Sequence, residues 1–101
     1  MRKPREHRYF VYKRYKHGAM LIGKNDNFIN IGVNDDFNFW SVENRGFHTL
    51  SAAKKLYEKE AKANNGCTYI SVAHYLLESK PNSYDIMCPY RLKLMGEYTE
   101  V

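Results

Sequence analysis

Basic and aromatic residues interleave through Arg8–Lys16, RYFVYKRYK. Arg8, Lys13, Arg14 and Lys16 could neutralise phosphates, while exposed Tyr and Phe rings could stack on bases. Such a strand surface suits RNA or another single strand, whose unpaired bases are open to stacking. Arg2, Lys3 and Arg5 carry the positive charge on toward the N-terminus. The candidate nucleic-acid-binding set is therefore Arg2, Lys3, Arg5, Arg8, Tyr12, Lys13, Arg14 and Lys16. The bland counterpart is an aromatic-rich strand whose long basic side chains snorkel to water. The stretch is not an RNP motif, and no GXXG follows it.

Other reactive residue types are spaced less suggestively. Asp35 and Asp36 are adjacent acids before an aromatic run. Paired carboxylates that hold metal or share acid–base work usually converge from different elements, and two neighbours in NDD fit turn chemistry. His7, His17, His48 and His74 are scattered, with no Cys, His or carboxylate at ligand spacing, so no metal site is expected. His74 reads as a satisfied core residue. Cys67 and Cys88 form no CxxC. Cys67 follows the C-terminus of an expected helix, the end that does not lower a thiol pKa, and reads as structural. No Walker loop, GxGxxG, HExxH or GxSxG is present, and no cofactor or enzymatic activity is expected.

The charge is lopsided. Residues 1–16 hold seven basic side chains and one acid, whereas the rest of the chain holds nine basic and ten acidic ones. The net charge of +5 is thus an N-terminal property. It suggests an arm or face that meets an anionic partner, although a solubilising terminus would carry the same charge. The length of 101 residues bounds the chain to one modest core. MRKPREHR is followed by no apolar h-region, and no long apolar run could span a membrane. A cytoplasmic protein with reduced thiols is expected.

The elements that must position these residues follow from pattern. Residues 1–7 read as a flexible basic arm, 8–95 as a single domain and 96–101 as a frayed tail. The first strand is expected over Arg8–Tyr15, with Tyr9, Val11, Lys13 and Tyr15 on one face and Arg8, Phe10, Tyr12 and Arg14 on the other. Further strands are expected at Ala19–Gly23, Phe28–Val33 and Phe37–Val42, separated by the turn signals KNDN and NDD. KNDN could close a hairpin or sit in one bent strand. A helix should start at the Thr49 N-cap, run from Leu50 without Pro or Gly, and stop at Asn65-Gly66. Leu50, Ala53, Leu56, Tyr57 and Ala61 form its apolar stripe. Cys67–Leu77 reads as a strand, with a helix over 71–80 as the competing reading. Pro89 demotes any central strand over 84–94. The expected fold is α+β, an antiparallel sheet of four to five strands with one main helix packed on one face. Its core should draw on Phe10 or Val11, Leu21, Ile29, Ile31, Trp40, Leu50, Ala53, Leu56, Tyr57, Ile70, Val72 and Leu76.

Strands followed by FNFW and then FHTLSAAKKLYEKEA resemble the sheet-plus-helix layout of plant ethylene-response-type DNA-binding domains. The strand after Gly66 departs from that layout, so its DNA-reading role does not carry over. The Lys-, Asn- and Tyr-rich texture also resembles small accessory proteins of tailed bacteriophages, many of which bind host factors. That resemblance implies a host protein, such as a defence factor or toxin, as partner.

Function expectations follow from these features. The first is a non-enzymatic protein that binds RNA or single-stranded nucleic acid through the N-terminal arm and first strand. The second is an inhibitor or adaptor that binds a host protein, motivated by nine Tyr and by Trp40, residue types that anchor interfaces. A small nuclease using Asp35, Asp36 and His48 is a third. A homodimer through an exposed edge strand stays open.

Overall fold

The computed structural model describes residues 6–31, 37–63, 66–79 and 90–99. Five strands form one antiparallel sheet in the order β3-β2-β1-β4-β5. They are β1 (Glu6–Tyr15), β2 (Gly18–Ile22), β3 (Phe28–Ile31), β4 (Tyr69–Ser79) and β5 (Tyr90–Tyr98). Two helices, α1 (Phe39–Arg45) and α2 (Leu50–Ala63), lie between β3 and β4 in sequence. The α+β class and the main helix on the sheet are therefore as expected, with α2 packed against β1 and β4.

β1 is the central strand. It starts at Glu6, inside the expected arm, and pairs with β4 from Glu6↔Leu77 to Arg14↔Tyr69. On its other edge it pairs with β2 from Val11 onward. Where β2 ends, Phe47 takes over that edge, exchanging two backbone hydrogen bonds of 2.8 Å with Tyr9. Phe47 thus extends that edge of β1 beyond β2.

KNDN closes a hairpin. Lys24–Asp26 form a 3-10 turn, and Asn25 and Asp26 take the left-handed region with φ of 57° and 58°. Asn and Asp tolerate that region better than other side chains, which explains the turn's composition. The turn expected at NDD, with Asp35 and Asp36, falls outside the described residues.

Residues 37–42 are not a strand. Phe39–Arg45 is a helix, capped by the Asn38 side chain, which accepts from Ser41 N at 2.9 Å. Helical spacing places Phe39 and Val42 on one side, and both are buried against Phe10, Leu21, Ile29, Ala73 and Leu77. Trp40 falls on the other side and is 50% exposed, so it is not a core residue. Leu50, expected in the core, is exposed in the first turn of α2.

Two glycines let α1 leave close to the sheet. A Cβ on Gly23 would lie 1.7 Å from the Arg45 carbonyl oxygen, and one on Gly46 would lie 2.9 Å from both the Arg8 Cβ and the Phe10 ring.

α2 keeps its expected start, with Ala52 N donating to Thr49 Oγ1 at 3.3 Å. It packs on the opposite face of the sheet from α1. Ala53 is fully buried there, and Lys13 reaches from β1 to Glu60. Val11, Val72 and Leu76 are buried on that same face by strand alternation. The sheet is therefore sandwiched, with a short helix on one face and a longer one on the other. Gly66 follows α2 with φ of +76°, in keeping with the expected stop.

β4 settles 69–79 as strand, not helix. β5 begins directly after Pro89 and runs to Tyr98, through three residues of the expected tail. The register between β4 and β5 shifts between His74 and Tyr75, as at a β-bulge, and the two strands stay paired on either side of it. Among the described residues, no helix is long and apolar enough to cross a membrane.

Candidate nucleic-acid interface

The α1 side of the sheet presents two adjoining rows. β1 contributes Arg8, Phe10, Tyr12 and Arg14, set opposite Tyr75, Ala73, Ser71 and Tyr69 of β4. Ala73 is followed outward by Glu97 of β5, and Tyr75 by Leu94. α1 covers the Phe10 and Ala73 part of these rows. No described helix covers the end that carries Tyr12, Arg14 and Tyr69.

An open groove of about 210 Å³ lies at this end, lined by Tyr12, Arg14, Ala73, Tyr75, Leu94 and Glu97. Sites for drug-sized ligands run to about 300–1,000 Å³, so this groove suits a smaller group.

Arg14 is the exposed cation of the groove. Its guanidinium carbon lies 5.5 Å from the Tyr69 ring centroid and 6.0 Å from that of Tyr12. Its Nε donates to the Tyr12 hydroxyl at 3.3 Å. The Tyr12 and Tyr69 rings meet edge to face at 5.9 Å. The hydroxyl of Tyr12, which accepts from the guanidinium and attracts it, holds the Arg14 pKa above its usual value. A planar cation is thus fixed against two rings while it still faces water.

The groove floor is firmer. Tyr75 packs edge-on against Phe10 at 6.1 Å and tilted against Phe37 at 5.5 Å. Burial, then Glu97 and Tyr12, push its pKa up to about 12, so its hydroxyl stays protonated near neutral pH. The fully buried Ser71 donates its hydroxyl to Glu97 Oε1 at 3.1 Å, which fixes the one carboxylate of the groove.

The structure distributes the predicted residues widely. Arg2, Lys3 and Arg5 lie outside the described residues. Arg8 is 5% exposed, and its three nitrogens donate to the Glu43 carbonyl, the His7 carbonyl and Glu6 Oε2, each at 3.0 Å. It ties the backbone of α1 to β1. Lys13 is on the other face beneath α2, 3% exposed, with its ammonium 3.4 Å from Glu60. Burial works against its charge, but the Tyr15 side chain and Glu60 outweigh this and raise its pKa. Lys16 is exposed in the turn after β1. Tyr12 and Arg14 are the two that come together in the groove.

Sequence reasoning missed Tyr69, Tyr75, Leu94 and Glu97. The alternation Tyr69, Ser71, Ala73, Tyr75 was a signal for the first two. Leu94 and Glu97 were missed because Pro89 argued against a strand over 84–94 and residues 96–101 read as a tail.

A second cluster lies on the α2 face. His7 Nδ1 and His74 Nε2 are 2.8 Å apart, and His74 Nδ1 is 3.1 Å from the Tyr98 hydroxyl. The Tyr9 ring stacks on His74 at 4.4 Å. Burial, then the nearby His7, lower the His74 pKa. His74 is therefore half-buried and hydrogen-bonded on both nitrogens. Among the described residues, no group of three His, Cys, Asp or Glu is placed to hold a metal ion. Cys67 is a free thiol that donates to the Tyr69 carbonyl.

The chain matches no protein-family model, no curated protein and no solved structure.

Proposed function

We propose that this is a small, non-enzymatic, cytoplasmic protein that binds single-stranded nucleic acid, RNA in the first place, on the open end of its sheet. One observation carries the reading: the Arg14 guanidinium laid against the Tyr12 and Tyr69 rings on a sheet face that α1 leaves bare. A guanidinium held against rings neutralises a phosphate and adds to an aromatic platform at once. The groove of about 210 Å³ beside it offers room for a small group next to that cation. The N-terminal charge of residues 1–16 supplies further attraction for a phosphate chain.

The proposed interface occupies one end of the first strand and not the whole of it. Arg8 and Lys13 are held by internal partners, so they serve the fold. The surface that remains is built jointly by β1, β4 and β5.

The test is an anisotropy titration of a labelled single-stranded RNA with the purified chain, at about 50 mM and about 200 mM salt. Binding that weakens with salt, and is lost when Arg14 is changed to Glu, supports the reading. A chain that shows no salt-dependent binding, or that co-purifies with a protein and no nucleic acid, overturns it.

A further inference from the structure

The groove contains one feature that a simple platform for bases does not need. Glu97 places a negative charge beside the site at which phosphates are to be met, and it lines the same groove as Arg14. An unselective single-strand binder gains nothing from a carboxylate there, since it repels the phosphate chain. The carboxylate is also held in place. The Ser71 hydroxyl, fully buried, donates to Oε1, while Oε2 accepts from no described group.

An ionised carboxylate is an acceptor and nothing else. A base that meets it through its Watson–Crick edge must therefore present donors. Guanine presents two neighbouring donors there, N1–H and the N2 amine. Adenine and cytosine each present one amine beside a ring nitrogen that accepts, and uracil presents one N–H between two carbonyl oxygens. The accepting neighbours repel a carboxylate. Two parallel N–H groups match its two oxygens in the way that a guanidinium does.

We propose that Glu97 is a specificity-determining residue that reads the N1–H and N2 amine of an unpaired guanine. The base would be stacked in the groove between the Tyr12 and Arg14 side and Tyr75. The inference rests on the nucleic-acid reading of the same groove and adds the identity of the base. Arg14 supplies affinity for any strand, and Glu97 supplies preference. Ser71 acts as a positioning residue, since it touches the carboxylate and not the base.

The experiment compares three labelled RNA octamers: all uridine, uridine with one central guanosine, and uridine with one central inosine, which keeps N1–H and lacks the amine. The wild-type chain should favour the guanosine strand over the uridine strand by about tenfold, with the inosine strand between them. Glu97→Gln should bring the guanosine and uridine strands together. Its affinity for the uridine strand should rise, because a negative charge that repels the phosphate chain is gone. Ser71→Ala should weaken the preference without abolishing it, and circular dichroism confirms that both variants are folded. Equal wild-type binding to all three strands overturns the assignment of Glu97 and leaves the stacking reading in place. A preference that survives Glu97→Gln also overturns it. Binding to none of the strands overturns both readings.

Discussion

Lys13 crosses from the middle of the sheet to Glu60 of α2, with 3.4 Å between its ammonium and the carboxylate. Its side chain is nearly fully buried, and that of Glu60 is 20% exposed. The pair fixes where α2 sits over β1. It is intermediate between an exposed ion pair and a wholly buried one, so its loss should be felt without unfolding the protein. Glu60→Gln, which leaves the ammonium buried without its carboxylate, should cost about 1–2 kcal/mol in urea denaturation. Lys13→Met, which removes the charge itself, should cost less. The opposite ranking would show that the ammonium does not depend on Glu60. The Lys13 pKa is raised in the fold, so its contribution is whole below the unfolded value of about 10.4. It is lost as pH rises through the folded value.

Close backbone approach sets a second expectation. Gly23 faces the Arg45 carbonyl, a backbone atom at the end of α1 that cannot swing away. Gly23→Ala should therefore destabilise by about 3 kcal/mol or more, and Gly46→Ala, which meets Arg8 and the Phe10 ring, by about 1–3 kcal/mol. Gly18→Ala adds a Cβ with nothing within 4 Å and should change stability little. Thermal unfolding of the three variants measures this. A neutral Gly23→Ala would mean that α1 is not seated against the β2–β3 hairpin.

The His7–His74–Tyr98 chain predicts a pH dependence. Burial and His7 oppose protonation of His74 in the fold, so the unfolded chain takes up the proton first. Stability is whole above the unfolded pKa of about 6.5 and falls as pH drops toward the lower folded value. His48, lowered chiefly by Arg8 and then by burial and Lys24, acts in the same direction. The melting temperature should fall from pH 7.5 to pH 5.5, a window of about two units that lies above most carboxylate titration. His74→Gln should flatten the slope in part, and His48→Gln should remove a further part. A slope unchanged in His74→Gln would show that this imidazole is not held neutral by the fold.

Some of this architecture was legible in the chain. α2 announced itself through the Thr49 cap and a run without Gly or Pro, and β1 through its two alternating faces. α1 was hidden, because Phe37, Phe39, Trp40 and Val42 have strand-type side chains and a passable period of two. The deciding signals were the Asn38 cap and the three-residue step from Phe39 to Val42, and tertiary burial chose between the periods. The groove was half visible. Tyr12 and Arg14 could be named from local chemistry, but their partners depend on register. Arg14 meets Tyr69, and Ala73 meets Glu97, across separations in sequence that no local pattern encodes.

The proposed interface predicts how charge and stacking should separate. Arg14 contributes a charge and a plane, whereas Tyr69 contributes a plane alone. Tyr69→Leu should weaken single-strand RNA binding by an amount that is nearly constant across salt concentrations, about 1–3 kcal/mol if the ring carries one base. Arg14→Gln should weaken it most at low salt and flatten the salt dependence by roughly one phosphate contact, a change in slope of about 0.7. Arg14→Lys should restore the slope and leave affinity short, since an ammonium carries the charge without the plane. Arg8→Gln should lower stability through its lost hold on the Glu43 carbonyl and leave RNA affinity unchanged. These four variants distinguish a built platform from diffuse attraction to a basic terminus. Diffuse attraction would make Arg8→Gln and Arg14→Gln alike in binding and would make Tyr69→Leu silent.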